Sequence, residues 1–178
     1  MKKRILLICA VTVAALGLLL YFILQNGNPY NKLFSSMRLS DVERIGILSN
    51  RRPLREAELD PTDMEQLIAV LNRLELPPSD TAQTDYSHWT GAHPISFQLH
   101  IRLKDGTDLL LVPMEYSLTA RRTDRYYLIY PEIESYSPNN AVPERFGESK
   151  LYRADEDPAF PELFSLLASL HEKYWPEP

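Results

Sequence analysis

The sequence predicts an α+β domain, a mostly antiparallel sheet with two helices packed on one face, preceded by a single N-terminal transmembrane helix. Three observations predict it. Ile5 to Leu24 is an uncharged run in which only Thr12 and Gly17 are not apolar. Residues 95–103 alternate between apolar and polar, the pattern of a strand with one buried and one wet face. Two later segments open on Asp-Pro and continue with apolar residues at three- and four-residue spacing, as capped amphipathic helices do.

A helix of about twenty predominantly apolar residues, at about 1.5 Å per residue, spans the ~30 Å of a bilayer's hydrocarbon. Lys2, Lys3 and Arg4 precede the run, and the positive-inside bias then places residues 25–178 outside the cytoplasm. A cleaved signal peptide is the competing reading, but its apolar core is normally shorter. Its best site, Ala15-Leu16-Gly17, would leave Leu18 to Leu24 as an apolar new terminus. A retained anchor is therefore expected, and a lipoprotein is not, because Cys9 follows Ile8 and sits early in the run. The expected organisation is an anchor over 1–24, a stalk over 25–40 and an extracytoplasmic domain over 41–178.

Composition divides at the same place. Of the apolar residues, which make up 44% of the 178, 19 fall in the first 24 positions and 60 in the following 154. A tail of that size fits one domain with a core. It contains no cysteine, so it can have neither disulfides nor thiolate metal ligands. All 24 acidic residues lie after position 24 against 16 basic ones, a net charge of −8 that argues against nucleic acid as a partner.

Within the stalk, Asn28 can cap a short helix with Pro29 at its first position, and Leu33, Phe34 and Met37 then dock on the domain or graze lipid headgroups. Val42, Ile45, Ile47 and Leu48 mark a first strand and Leu54 to Leu59 a second, joined by Asn50-Arg51-Arg52-Pro53. Asp60 and Pro61 open the first domain helix, which carries Met64, Leu67, Ile68, Leu71 and Leu74 and stops at Pro77-Pro78. Residues 77–94 form a long polar loop, of the kind that tends to be functional or disordered. The alternating strand 95–103 turns through Asp105-Gly106 into Leu109 to Val112, whose four successive apolar residues point to a central position. Tyr116 to Arg121 and Arg125 to Tyr130 read as a further hairpin turning near Thr123-Asp124, Ser135 to Glu148 as a loop, and Leu151 to Arg153 as a short strand. Asp157 and Pro158 open the last helix, with Phe160, Leu163, Phe164, Leu167, Leu170 and Tyr174 along one side. The wet sheet face is expected to carry His100 and Arg102.

Chemistry is sparsely signalled. There is no Gly-x-Ser-x-Gly elbow and no Ser-x-x-Lys, and six glycines in the whole chain build no phosphate cradle. His88 and His93 share the long loop with Asp80 and Asp85, but their five-residue spacing is not that of zinc ligands on one helical turn, so no metal and no cofactor is expected. Arginines cluster at 51, 52 and 55 and at 121, 122 and 125, where acidic neighbours are the expected partners. The best binding surface combines Arg102, Arg121, Arg125, Tyr126 and Tyr130 on neighbouring strands, because Tyr and Arg are enriched in interfaces. Tyrosines alternating along a strand also pack into cores. His88, Trp89 and His93 complete the set, with Trp89 either pinning the loop or meeting a ligand.

The basic start and apolar anchor, Val42-Glu-Arg-Ile-Gly-Ile47, Asp60-Pro-Thr-Asp-Met64, the Asp-Gly hairpin, Tyr126-Tyr-Leu-Ile129 and the final Asp-Pro helix together resemble the small membrane-anchored extracytoplasmic domains of unknown function found in Gram-positive bacteria. The resemblance implies an α+β domain outside the membrane and supplies no catalytic residues. The function expected is a non-enzymatic binding or interaction module held at the cell membrane, with a protein, peptide or envelope component as partner. The alternative is a cell-envelope hydrolase whose carboxylates are assembled only by the fold.

Overall fold

A computed structural model describes residue 16 and residues 28–49, 54–77, 95–119, 122–137 and 142–176. The anchor run, apart from Leu16, lies outside the described residues, as do Arg51, Arg52, His88, Trp89, His93 and Arg121. Among the described residues no helix is long and apolar enough to cross a membrane.

The fold is α+β. Helix α1 (Pro29–Ser36), strands β1 (Val42–Leu48) and β2 (Glu56–Glu58) and helix α2 (Pro61–Leu71) come first. Strands β3 (Ile95–Ser96), β4 (Leu99–Leu103), β5 (Asp108–Thr119), β6 (Arg122–Tyr130), β7 (Ile133–Tyr136), β8 (Pro143–Phe146) and β9 (Lys150–Arg153) follow, and α3 (Phe160–Tyr174) closes the described chain. The main sheet runs β2-β1-β4-β5-β6-β9, with β3 added to β5, and every pairing is antiparallel. Strands β7 and β8 form a separate two-stranded sheet.

The two faces of the main sheet bury different sets. One face packs Ile45, Ile47, Leu99, Ile101, Leu109, Leu111, Tyr127 and Ile129 against Phe34 and Met37, Leu67 and Leu71 of α2, and Phe160, Leu163 and Leu167 of α3. Three helices therefore cover this face, one more than the two expected. The additional one is α1, whose Phe34 is fully buried. Its sequence start is as read: the Asn28 side chain accepts from the Tyr30 amide at 3.0 Å, and Pro29 fills the first position.

The opposite face corrects the expectation of an open, wet surface. Leu48, Leu110, Val112, Met114, Tyr116, Tyr126, Leu128 and Leu151 form a second core there, with Val142, and Phe146 of the β7–β8 hairpin packs against it. The segment read as a loop over 135–148 thus contains much of the cover. This also explains the four apolar residues 109–112: Leu109 and Leu111 serve the helical side, Leu110 and Val112 the other. His100, expected in solvent, is wholly buried.

Three boundaries differ for visible reasons. The 95–103 run breaks at Phe97-Gln98 because the register sets Phe97 opposite Pro113, and although the Phe97 amide donates to the Pro113 carbonyl at 3.3 Å, proline has no N–H to return. Strand β5 continues to Thr119, with a register shift after Ser117, so Thr123 and Asp124 are strand residues paired with Ser117 and Tyr116 rather than a turn. Helix α3 starts at Phe160 rather than Pro158, because Asp157 is buried and its side chain is used before the helix begins. It accepts from the Ala159 amide at 2.9 Å and from the Tyr127 hydroxyl at 2.8 Å.

Candidate functional site

Among the described residues, two places are candidates for a site. The first lies on the β7–β8 side of the sheet, where alternation sends Arg44 and Gly46 of β1, His100 and Arg102 of β4 and Asp108 of β5 to one face. The register sets Gly46 beside His100, Arg44 beside Arg102 and Arg102 beside Asp108. The His100 imidazole lies between two carboxylates: Nδ1 is 3.0 Å from both oxygens of Glu56, and Nε2 is 2.6 Å from Asp108 Oδ1. Gly46 is the residue that makes room, since a Cβ there would overlap the Glu56 carboxylate.

Asp108 is the hub of this cluster. Arg102 donates to its Oδ2 through Nη2 at 2.7 Å and Nε at 3.2 Å, and the Tyr136 hydroxyl, from the covering hairpin, donates to the same oxygen. Arg102 Nη2 also donates to the Tyr136 hydroxyl at 2.6 Å, with the guanidinium 5.1 Å from the ring centre. Burial pushes the Asp108 carboxyl up, but the Tyr136 hydroxyl, Arg102 and His100 outweigh it and hold it below its ordinary 3.8. Burial, then the hydrogen bond to Asp108, pushes the Tyr136 phenol up to about 12. Arg44 Nη2 stands 3.6 Å from Glu56 Oε2 on the far side of the ring.

The cluster is arranged for holding elements together. Its carboxylates approach opposite ring nitrogens, so they do not converge on one point, and among the described residues no group of three or more His, Cys, Asp and Glu is arranged to hold a metal. His100, with no exposure and both nitrogens occupied, touches no solute.

The second place is an open groove of about 1470 Å³ between α1, the segment after α2 and the turn after β9. Asn28, Asn31, Lys32 and Ser35 form one wall, residues 72–77 the floor, and Arg153, Asp155, Glu156 and Asp157 the other wall. Two asparagines fix its shape. Asn28 Nδ2 donates to the Pro77 carbonyl at 2.7 Å, while Asn31 accepts from the Leu76 amide and donates to the Leu76 carbonyl, each at 2.8 Å. A single amide thus satisfies both backbone groups of Leu76, in a stretch with no strand partner.

The residues singled out from sequence do not share one surface. Arg102 lies on the hairpin side with Asp108 and Tyr136. Arg125 lies on the helical side, where Nε donates to Glu115 at 3.0 Å and the guanidinium sits 5.6 Å from the Phe160 ring centre. Tyr126 is buried in the second core, and Tyr130 packs its ring 4.8 Å from that of Phe146. His88, Trp89, His93 and Arg121 fall outside the described residues. Among the carboxylates, Glu115 pairs with Arg125 and Asp155 with Arg153.

Sequence reasoning missed Glu56, Asp108 and Tyr136 as partners of His100. One signal was present: a glycine inside a strand, Gly46, marks the close approach of another group. Comparison with known proteins adds no identity to this geometry, because no family model, curated protein or solved structure matches the chain.

Proposed function

We propose that this chain is a membrane-tethered extracytoplasmic interaction module, anchored through Ile5 to Leu24, which recognises a protein, peptide or envelope component in the groove beside α1. The observation that carries the reading is the fusion of α1 to the domain. Phe34 and Met37 lie in the main core, and Asn28 and Asn31 bond the helix to residues 76–77. The apolar run ends four residues before Asn28, so an anchored chain holds the Asn28 end of the groove within about 14 Å of the end of that run at ~3.5 Å per extended residue. Confinement there raises the effective concentration of membrane-borne partners, which lets weak contacts count.

The competing hydrolase reading needs a general acid, a carboxyl held above its ordinary range. Among the described residues the carboxyls with a displaced pKa are Asp60, Asp105, Asp108 and Glu162, and all four are lowered. That direction favours structural pairing over acid catalysis.

A photocrosslinking residue at Lys32, in the groove, and another at Glu65, exposed on α2, compare the two surfaces in intact cells. The proposal expects a discrete adduct from position 32 and none from position 65. Absence of any adduct at 32, or the same adducts at both positions, would count against the groove as the recognition surface.

A further inference from the structure

A neutral imidazole carries one N–H and one lone pair, whereas His100 faces carboxylate oxygens at both nitrogens. Only the doubly protonated ring donates to both. The two carboxylates differ in what else holds them. Asp108 keeps Arg102 and Tyr136 when the ring changes state, and its contact with Nε2 is the shorter at 2.6 Å. Among the described residues Glu56 keeps only Arg44, at 3.6 Å, and it belongs to the three-residue edge strand β2.

We propose that His100 is a proton-dependent clasp for the sheet edge: the doubly protonated ring fastens Glu56, and loss of one proton turns the Nδ1 lone pair toward that carboxylate and releases β2 from β1. The groups facing the ring are Arg44 from β1, Glu56 from β2, Asp108 from β5 and Tyr136 from β7, with Arg102 from β4 held against Asp108 behind them. Glu58 is one more carboxylate on β2, exposed and paired with Gly46. Both arginines stabilise the carboxylates in either state, so the ring proton decides the sign of the Glu56 contact. Without the clasp, only three backbone pairs, with Gly46, Ile47 and Leu48, and the Ser49–Arg55 bonds at its start oppose the release of β2. The side chain of Glu56 leaves the space above Gly46, and the edge of β1 becomes open to an incoming strand.

Hydrogen exchange at the β2 and β1 edge amides, followed by NMR with the His100 ring nitrogens across pH 5 to 9, tests the clasp in the full chain. After correction for intrinsic exchange, protection of the β2 and β1 edge amides is expected to fall at least tenfold with the midpoint of the ring titration, while that of α2 stays constant. Replacing the carboxylate with an amide, Glu56→Gln, supplies a donor that matches the neutral ring, so this variant is expected to keep β2 protected at high pH. Protection of β2 that does not follow the ring titration, or a Glu56→Gln chain that loses protection as the wild type does, would overturn the proposal. Neither outcome bears on the groove reading, which the crosslinks test separately.

Discussion

Gly46 and Tyr136 show what single residues contribute here. A methyl at position 46 collides with the Glu56 carboxylate and pushes it away from His100, leaving a buried polar group short of a partner. Gly46→Ala is therefore expected to destabilise the domain by about 1–3 kcal/mol, although glycine is normally the poorer strand residue. Urea denaturation measures this, and a stabilised variant would show that the carboxylate does not need that space. Tyr136 titrates late because the fold favours its protonated form. Its contribution is complete below the ordinary value of 10 and is lost as pH rises through about 12. Asp108 runs the other way, with a contribution present above 3.8 that fades as pH falls through its lowered value. Wild type should lose urea resistance between pH 10 and 12 more steeply than Tyr136→Phe, and parallel curves would contradict the assigned hydrogen bond.

At the scale of elements, α1 behaves as part of the domain rather than as a spacer. Phe34 is fully buried, so Phe34→Ala is expected to cost about 3–5 kcal/mol, as large-to-small core substitutions do. A loss under 1 kcal/mol would mean that α1 docks without contributing to the fold. Asn31→Ala strands both backbone groups of Leu76 and is expected to cost about 1–3 kcal/mol, with faster exchange of the Leu76 amide. The other end of α2 is clipped to α3, where Lys173 spans Asp60 and Asp63 and the Tyr174 hydroxyl donates to Asp63 at 2.7 Å. Helices and the Asp105-Gly106 turn were legible in the sequence because caps, prolines and a positive-φ glycine are local signals; Gly106 has φ 94°. The cover on the second face was not. Its contributors, Val142 and Phe146, stand in a short polar segment without periodicity, and the His100 cluster draws partners from β2, β5 and β7. Alternation told which side His100 faces, but not that another sheet lies over that side.

For the whole molecule, the tail stays ordinary in composition although the sheet is buried on both sides. The second core is small and is completed by polar clasps such as Arg102–Asp108–Tyr136, which reduces the number of apolar residues needed. Under the proposed function, the groove beside α1 and the start of that helix shortly after the apolar run are the features that connect architecture to a role at a membrane. An anchored chain of this orientation, as proposed, turns the groove to the exterior of the cell. With Cys9 replaced by Ser, a cysteine at Ser35, exposed on the groove wall, reports the side of the membrane directly. A membrane-impermeant maleimide is expected to label Ser35→Cys in intact cells as fully as in lysed ones; labelling that appears only after lysis would place the groove on the cytoplasmic side instead.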